Sequence, residues 1–257
     1  MVPPLNCKMA GSLGRAAISE IFYVFVTCGL ICLMNASNHH LDQSSNEAIF
    51  TRIYAHGHWG RSPNPYDRFF SGSGSRDPAV VEPYIASVEA FVRSLPFKPS
   101  GLDLGCGDFF VGSRIRHLFD HYTACDVVGP MIDHHRARFQ HFNVDFRKLD
   151  ISRDPLPQAD VGMVRQVLQH LSNDCIARFV TAIPHSCRYL ICTEHLPAVE
   201  GFPSNIDKPT GGYIRLEAGS GVDLMQPPFN LQAVARRQLC AVPEHEGVIV
   251  TTLYQFH

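Results

Sequence analysis

The stretch from Gly101 to Val128 leaves this chain few architectures. Gly101-Leu-Asp-Leu-Gly-Cys-Gly-Asp-Phe-Phe110 reads as a strand over Leu102 to Leu104 that breaks at Gly105 and Gly107, and Val111 to Phe119 has helical spacing. A glycine where a strand turns into a helix tolerates positive φ and, lacking Cβ, lets a bound molecule reach the backbone. Tyr122 to Val128 is a second apolar run, and Asp126 stands near its close. Strand, glycine turn, helix and a second strand ending in a carboxylate open a doubly wound α/β sheet, whose neighbouring strand ends share one crevice. In that crevice such a carboxylate accepts the hydroxyls of a ribose, so Gly105, Cys106, Gly107, Asp126 and Val127 are the expected rim of a cofactor site.

Two kinds of cofactor compete for the crevice. Dinucleotide sites use Gly-x-Gly-x-x-Gly/Ala, whose last position allows close helix packing beside a pyrophosphate. Here that position is Phe110. Asp103, two residues before the first glycine, would sit badly beside a pyrophosphate and suits the ammonium of a methionine moiety. Asp103-Leu-Gly-Cys-Gly-Asp108 followed by Asp126 resembles motif I and the acidic second-strand end of class I S-adenosylmethionine-dependent methyltransferases, with Phe109 in place of the third glycine of the common Gly-x-Gly-x-Gly form. The resemblance implies a mostly parallel, seven-stranded, doubly wound sheet with helices on both faces and an antiparallel last strand, and S-adenosyl-L-methionine as cofactor.

Beyond these strands the pattern alternates as a parallel sheet requires: a helix over Met131 to Phe139, strands over Asn143 to Leu149 and Ala159 to Arg165, a helix over Asp174 to Ile183 capped near Asn173, an apolar strand over Arg188 to Thr193, and a last run from Gly247 to Phe256. Lys148-Leu-Asp150-Ile151 resembles the family segment in which an acidic side chain and the next backbone N–H meet the adenine. The stretch from Ala159 to Ser172 resembles the motif that leads from the fourth strand into its loop, and makes Arg165 and Gln166 cofactor-side residues. Asp160, at the far end of that strand, reads as structural.

Methyl transfer from a sulfonium is an in-line displacement, so positioning and water exclusion can do most of the work. A base is needed only where a hydroxyl acceptor must lose its proton. His170, in the loop after the fourth strand, has the ordinary pKa range for that task, and Glu194 and His195 at the fifth strand end are its alternatives. A structural, hydrogen-bonded histidine is the competing reading of His170. The pairs His39-His40 and His134-His135 and the His56-x-His58 step lack a third ligand at useful spacing, so no metal is expected.

The flanks are less regular. Ile21 to Met34 is apolar except for Thr27 and Gly29, short for a spanning helix of about 20 residues and within the range of a signal-peptide core. Residues 1–41 are therefore expected to be a leader: a membrane anchor through residues 16–36, a cleaved signal, or an extension. The protein would then be membrane-associated or secretory, and cytoplasmic if the leader is neither. Residues 42–257 are expected to form the catalytic domain, with a helical lid over 42–97, a cofactor core over 98–195, and an acceptor insertion and last strands over 196–257. In the lid, a helix over Asp42 to Gly60 precedes a Ser/Gly/Pro-rich stretch ending in Ser71-Gly-Ser-Gly-Ser75, and Asp77-Pro78 caps the next helix. Trp59-Gly60 followed by that serine-glycine run resembles the N-terminal segment of a methyltransferase subgroup linked to glycan and small-molecule modification, which marks Trp59, Ser73 and Ser75 as substrate-side. Leu196 to Leu231 has no period, and as an insertion before a last helix it would overhang the crevice, with Tyr213, Arg215 and Phe229 as acceptor contacts.

Composition narrows the partners. A net charge of −2 over 257 residues gives no basic footprint for nucleic acid. The nine cysteines contain no Cys-x-x-Cys pair and read as buried apolar side chains. The expectation is thus an S-adenosylmethionine-dependent methyltransferase acting on a small molecule or glycan, at oxygen. Its rivals are a NAD-dependent or nucleotide-sugar oxidoreductase and a membrane-tethered, non-catalytic protein that keeps the fold.

Overall fold

The computed structural model describes residues 45–257, so the leader and every expectation attached to it lie outside the described residues. Helix α1 (Asn46–His56) begins where the Ser45 hydroxyl accepts from the Ala48 N–H at 3.2 Å. It ends before the expected Trp59-Gly60 stop, because Gly57 takes a left-handed conformation and returns its N–H to the carbonyls of Ile53 and Tyr54. Helix α2 (Pro78–Ser94) starts as expected on Asp77, which accepts from the Ala79 N–H at 2.9 Å.

The core then alternates: β1 (Gly101–Leu104), α3 (Phe110–Ile115), β2 (Tyr122–Asp126), α4 (Gly129–Arg138), β3 (Asp145–Lys148), β4 (Ala159–Arg165), α5 (Asn173–Ser186), β5 (Cys187–Pro197), β6 (Ala235–Glu244) and β7 (Gly247–Gln255). The first helical run is shorter than expected, since its last turn tightens to a 3-10 turn over Arg116–Leu118. The seven strands form one sheet in the order β3-β2-β1-β4-β5-β7-β6. Strands β1 to β5 pair in parallel, whereas β7 runs antiparallel between β5 and β6.

Both faces of the sheet are covered. Leu102, Leu104, Val164 and Leu190 pack with Phe50 of α1 and Ile176, Phe179 and Ile183 of α5. Met163, Val161 and Ile191 point to the other side, against Tyr84, Val88 and Phe91 of α2 and Ile132 of α4. Two expectations need correction. No helix separates β5 from the final hairpin, because the insertion stays irregular apart from a 3-10 turn over Arg215–Ala218. Strand β6 went unforeseen, because it is an exposed edge with Arg236, Arg237 and Gln238 on the surface and so lacks the apolar signal of its neighbours. Among the described residues no helix is long and apolar enough to cross a membrane.

The chain order reverses between β1 and β4. A doubly wound sheet opens its crevice at such a switch point, outside the carboxyl ends of the strands.

Candidate active site

The crevice has a volume of about 550 Å³, room enough for a nucleoside-sized ligand and an acceptor. Its floor is the glycine turn. Gly105 has φ +79°, and a Cβ there would stand 2.4 Å from Val167 Cγ2; Gly107 has φ +53°, and a Cβ there would stand 2.5 Å from Ser71 Oγ. Phe109, in place of the third glycine, itself adopts φ 62°, which costs a non-glycine residue about 1–2 kcal/mol. Its fully buried ring packs among Tyr122, Phe139 and Phe146, with centroids 6.3, 5.2 and 4.9 Å away. The close-packing glycine has moved to Gly112, where a Cβ would lie 2.5 Å from the Phe109 ring and 2.8 Å from Asp103 Oδ2.

Two carboxylates flank this turn. Asp126 accepts from the N–H of Gly107 at 3.1 Å and of Val128 at 3.0 Å. Burial nevertheless pushes its carboxyl up to about 6. Asp103 accepts from the Tyr122 hydroxyl at 3.0 Å and is pushed up to about 7, chiefly by burial. His135 of α4 holds the other side of the turn, its Nε2 donating to the Gly107 carbonyl at 2.7 Å. Cys106 and Val127 line the crevice as expected. At the β3 end Asp150 and Ile151 form one wall, with the Asp150 carboxylate accepting from Asn46 Nδ2 at 3.1 Å and Ser152 Oγ at 2.7 Å.

The serine-glycine run lies over the turn as a strap. Ser71 Oγ accepts from the Asp108 N–H at 2.8 Å and shares a hydrogen bond with Tyr54 at 2.9 Å. The Asp108 carboxylate accepts in return from the Ser71 N–H at 3.2 Å and from Arg76 Nη2 at 2.9 Å. Arg76 also pairs with Asp67, which Arg138 of α4 reaches as well. Ser73 and Ser75 line the crevice within the strap's 3-10 turn, and Ser75 Oγ donates to the Ser71 carbonyl. At the end of β4, Arg165 Nη2 donates to the Gly74 carbonyl at 3.1 Å, and Gln166 takes the unusual φ of 55° as its N–H donates to Thr193.

The opposite end is an aromatic chamber. Trp59 donates from Nε1 to the Gly212 carbonyl at 3.1 Å, joining the lid to the insertion. His170 lies beneath it, 5.0 Å from the Trp59 ring and 6.5 Å from that of Phe50. Burial, helped by the charge of Lys208, pushes its imidazole down to about 4, below the base range expected from sequence, and its buried Nδ1 has no partner. Glu194 is buried behind the crevice wall, with Oε1 accepting from the Leu168 N–H at 3.2 Å. Burial raises its carboxyl to about 8, so it is protonated at neutral pH and is not a ready base. His195 does line the crevice, and its Nε2 is hydrogen-bonded to the Glu244 carbonyl at 3.0 Å.

Of the three insertion residues, Tyr213 alone reaches the crevice, at its mouth, edge-on to His58. Phe229 is buried in the core with α5. Arg215 is 2% exposed and all its donors are taken: Nε by the Ile206 carbonyl, Nη1 by those of Leu168 and Gln169, Nη2 by that of Leu171 and by Asn173 Oδ1. It ties the His170 loop to the insertion. Sequence reasoning missed Asn46, Tyr54, Ser71 and Tyr84 in the lining. Asn46, Phe50 and Tyr54, spaced by four, were a readable signal for one helix face toward the crevice. Among the described residues no cluster of His, Cys, Asp and Glu suits a metal.

A family model described as "Methyltransferase domain" matches residues 102–188, the segment that carries the glycine turn, Asp126, Asp150 and Arg165. Trp59-Gly60 and the strap lie outside that match. No curated protein gives a significant sequence match. The fold is similar to that of the N-methyltransferase NodS from Bradyrhizobium japonicum WM9, solved with S-adenosyl-L-homocysteine, at TM-score 0.53 and 15% identity over 71% of this chain and 90% of that one. It is similar also to human N-acetylserotonin methyltransferase, solved with S-adenosylmethionine, at TM-score 0.55 and 16% identity over 82% of this chain and 60% of that one. A third likeness, to the bifunctional kinase-methyltransferase WbdD, has TM-score 0.50 and 18% identity over 71% of this chain and 40% of that one.

Proposed function

We propose that this chain transfers the methyl group of S-adenosyl-L-methionine to a hydroxyl of a small-molecule or glycan acceptor. The observation that carries the reading is a pair of carboxylates, the half-buried Asp103 and the buried Asp126, set at neighbouring strand ends around a glycine turn whose space a Cβ would fill. The residues fit the cofactor. Asp126 keeps lone pairs for ribose hydroxyls beyond the two N–H groups it already accepts. Asp103 is raised to about 7 because burial outweighs the help from Arg165 and Tyr122, and an ammonium beside it would relieve that. Asp150 and Ile151, which form one wall of the crevice, would meet the adenine edge. A pyrophosphate on the glycine turn would face the Asp103 carboxylate, which argues against the dinucleotide reading.

When bound, the cofactor supplies an electrophilic methyl on a sulfonium. The chain's own residues exclude water and orient the acceptor: the strap and Tyr54 close one side, and Trp59 and Tyr213 frame the entrance for a flat or ring-shaped acceptor. His170, uncharged at neutral pH and lining the crevice beneath Trp59, would orient the reacting hydroxyl through its imidazole. With its pKa so low, its contribution is orientation and late proton capture, not full deprotonation beforehand.

Calorimetry on the full chain tests the cofactor: S-adenosylmethionine and S-adenosylhomocysteine should bind and NAD should not. Labelled methyl donor added to a fractionated lysate then identifies the acceptor. Binding of NAD without S-adenosylhomocysteine would overturn the reading, and cofactor binding without any methyl transfer would leave a non-catalytic fold.

A further inference from the structure

Arg165 presents a cation that the fold does not pair. In the β1–β4 register Asp103 lies opposite Met163, so Arg165, two residues on, points to the same face as Asp103. With strands about 4.8 Å apart and a rise of about 3.3 Å per residue, the two Cα atoms are roughly 8 Å apart. Both residues line the crevice, and each feels the other's charge. Yet among the described residues no carboxylate lies within ion-pair distance of Arg165. Its guanidinium rests over the Tyr84 ring at 5.3 Å, gives one N–H to the Gly74 carbonyl, and keeps a buried Nε with no partner at all. Asp103 has turned to Tyr122. A half-buried guanidinium with an unpartnered Nε and no ion pair is costly, and a ligand that carries both charges and bridges Arg165 to Asp103 would offset that cost.

We infer that Arg165 recognises the carboxylate of the cofactor's amino-acid end, and that Arg165 and Asp103 together form a two-point clamp for an α-amino acid zwitterion. The inference rests on the cofactor reading above. The clamp takes the ammonium on β1 and the carboxylate on β4, and the Gly74 carbonyl on Arg165 couples it to the strap. Such a site selects against cofactor derivatives that lack either group, because the charge left behind would stay buried and unpaired.

The test compares S-adenosylhomocysteine with its decarboxylated analogue by calorimetry, on the full chain and on Arg165→Met and Arg165→Lys. The wild-type protein should bind the decarboxylated analogue roughly 10–100-fold more weakly, the size expected for losing one hydrogen-bonded charge pair. Arg165→Met should weaken S-adenosylhomocysteine by a similar factor and leave the analogue within about threefold of wild type, with Arg165→Lys in between. If Arg165→Met weakens both ligands alike, Arg165 only anchors the strap and the clamp is refuted. The wild-type comparison needs no variant to fold, and equal affinity for the two ligands there refutes the clamp as well. If the wild-type protein binds neither ligand, the cofactor reading falls before the clamp is reached.

Discussion

Replacing Arg215 by lysine should destabilise the protein while leaving its surface and its net charge unchanged. The guanidinium gives five N–H groups to five oxygens, three of them carbonyls in the loop from Leu168 to Leu171, and the residue is 2% exposed. A lysine ammonium has three donors and no planar fork, so at least two of these acceptors lose their partner. A hydrogen bond to a charged donor contributes about 1.5–3 kcal/mol net, and water entering the gap recovers part of it, so the loss should be about 2–5 kcal/mol. That is a large share of a typical domain stability of about 5–15 kcal/mol. Urea unfolding can be followed by the fluorescence of Trp59, the one tryptophan of the chain, which donates to the insertion at Gly212. The midpoint should fall at unchanged slope. Arg93→Lys, at an exposed residue paired with Glu89, should stay within about 0.5 kcal/mol of wild type and serves as the control. If Arg215→Lys is as stable as that control while the KM for the acceptor rises, Arg215 is the acceptor contact that the sequence suggested, and the strut is refuted.

The remaining predictions concern charge, space and proton. Glu194 has a folded pKa of about 8 against an ordinary 4.5, so its stabilising contribution is complete below 4.5 and is lost as pH rises through 8. Glu194→Gln, which cannot ionise, should therefore gain stability over wild type between pH 5 and pH 9, and a melting-temperature difference that does not change with pH would contradict the buried assignment. Gly112→Ala should cost about 1–3 kcal/mol by forcing the Phe109 ring or Asp103 to move; Gly211→Ala, where the added methyl meets nothing within 4 Å, should be close to neutral in the same chemical unfolding assay. His170→Ala should lower turnover by about 10–100-fold with S-adenosylhomocysteine affinity within about threefold, the low end of general-base effects because the imidazole is held near 4. Full turnover in that variant, with His195→Ala inactive, would move the proton-accepting role to β5.

The sequence by itself determined the part of the protein that is local. The apolar run from Leu102 to Leu104, the glycines that end it and the carboxylate of Asp126 made β1, its turn and β2 legible, because a strand, a positive-φ turn and a strand-end carboxylate are each decided within a few residues. The alternation that follows gave the parallel sheet for the same reason, and Asp103 and Asp126 take their places in the crevice from strand register alone. Tertiary structure decided what depends on distant partners. Strand β6 exists because β7 supplies its ladder, not because its own surface residues carry a pattern. The strap is tied to the turn because Ser71 and Asp108 meet across the fold. Phe109 can replace a glycine only because Gly112 clears space for its ring. Arg215 was misread as an acceptor contact because an aperiodic segment gives no clue to which face of it is buried. His170 was assigned proton chemistry from its ordinary pKa range and Glu194 from its place at a strand end, but pKa values move with desolvation, and the groups packed on His170 come from α1, Trp59 and the insertion. A titration range is a property of the folded surroundings, and the residues in sequence around His170 do not contain them.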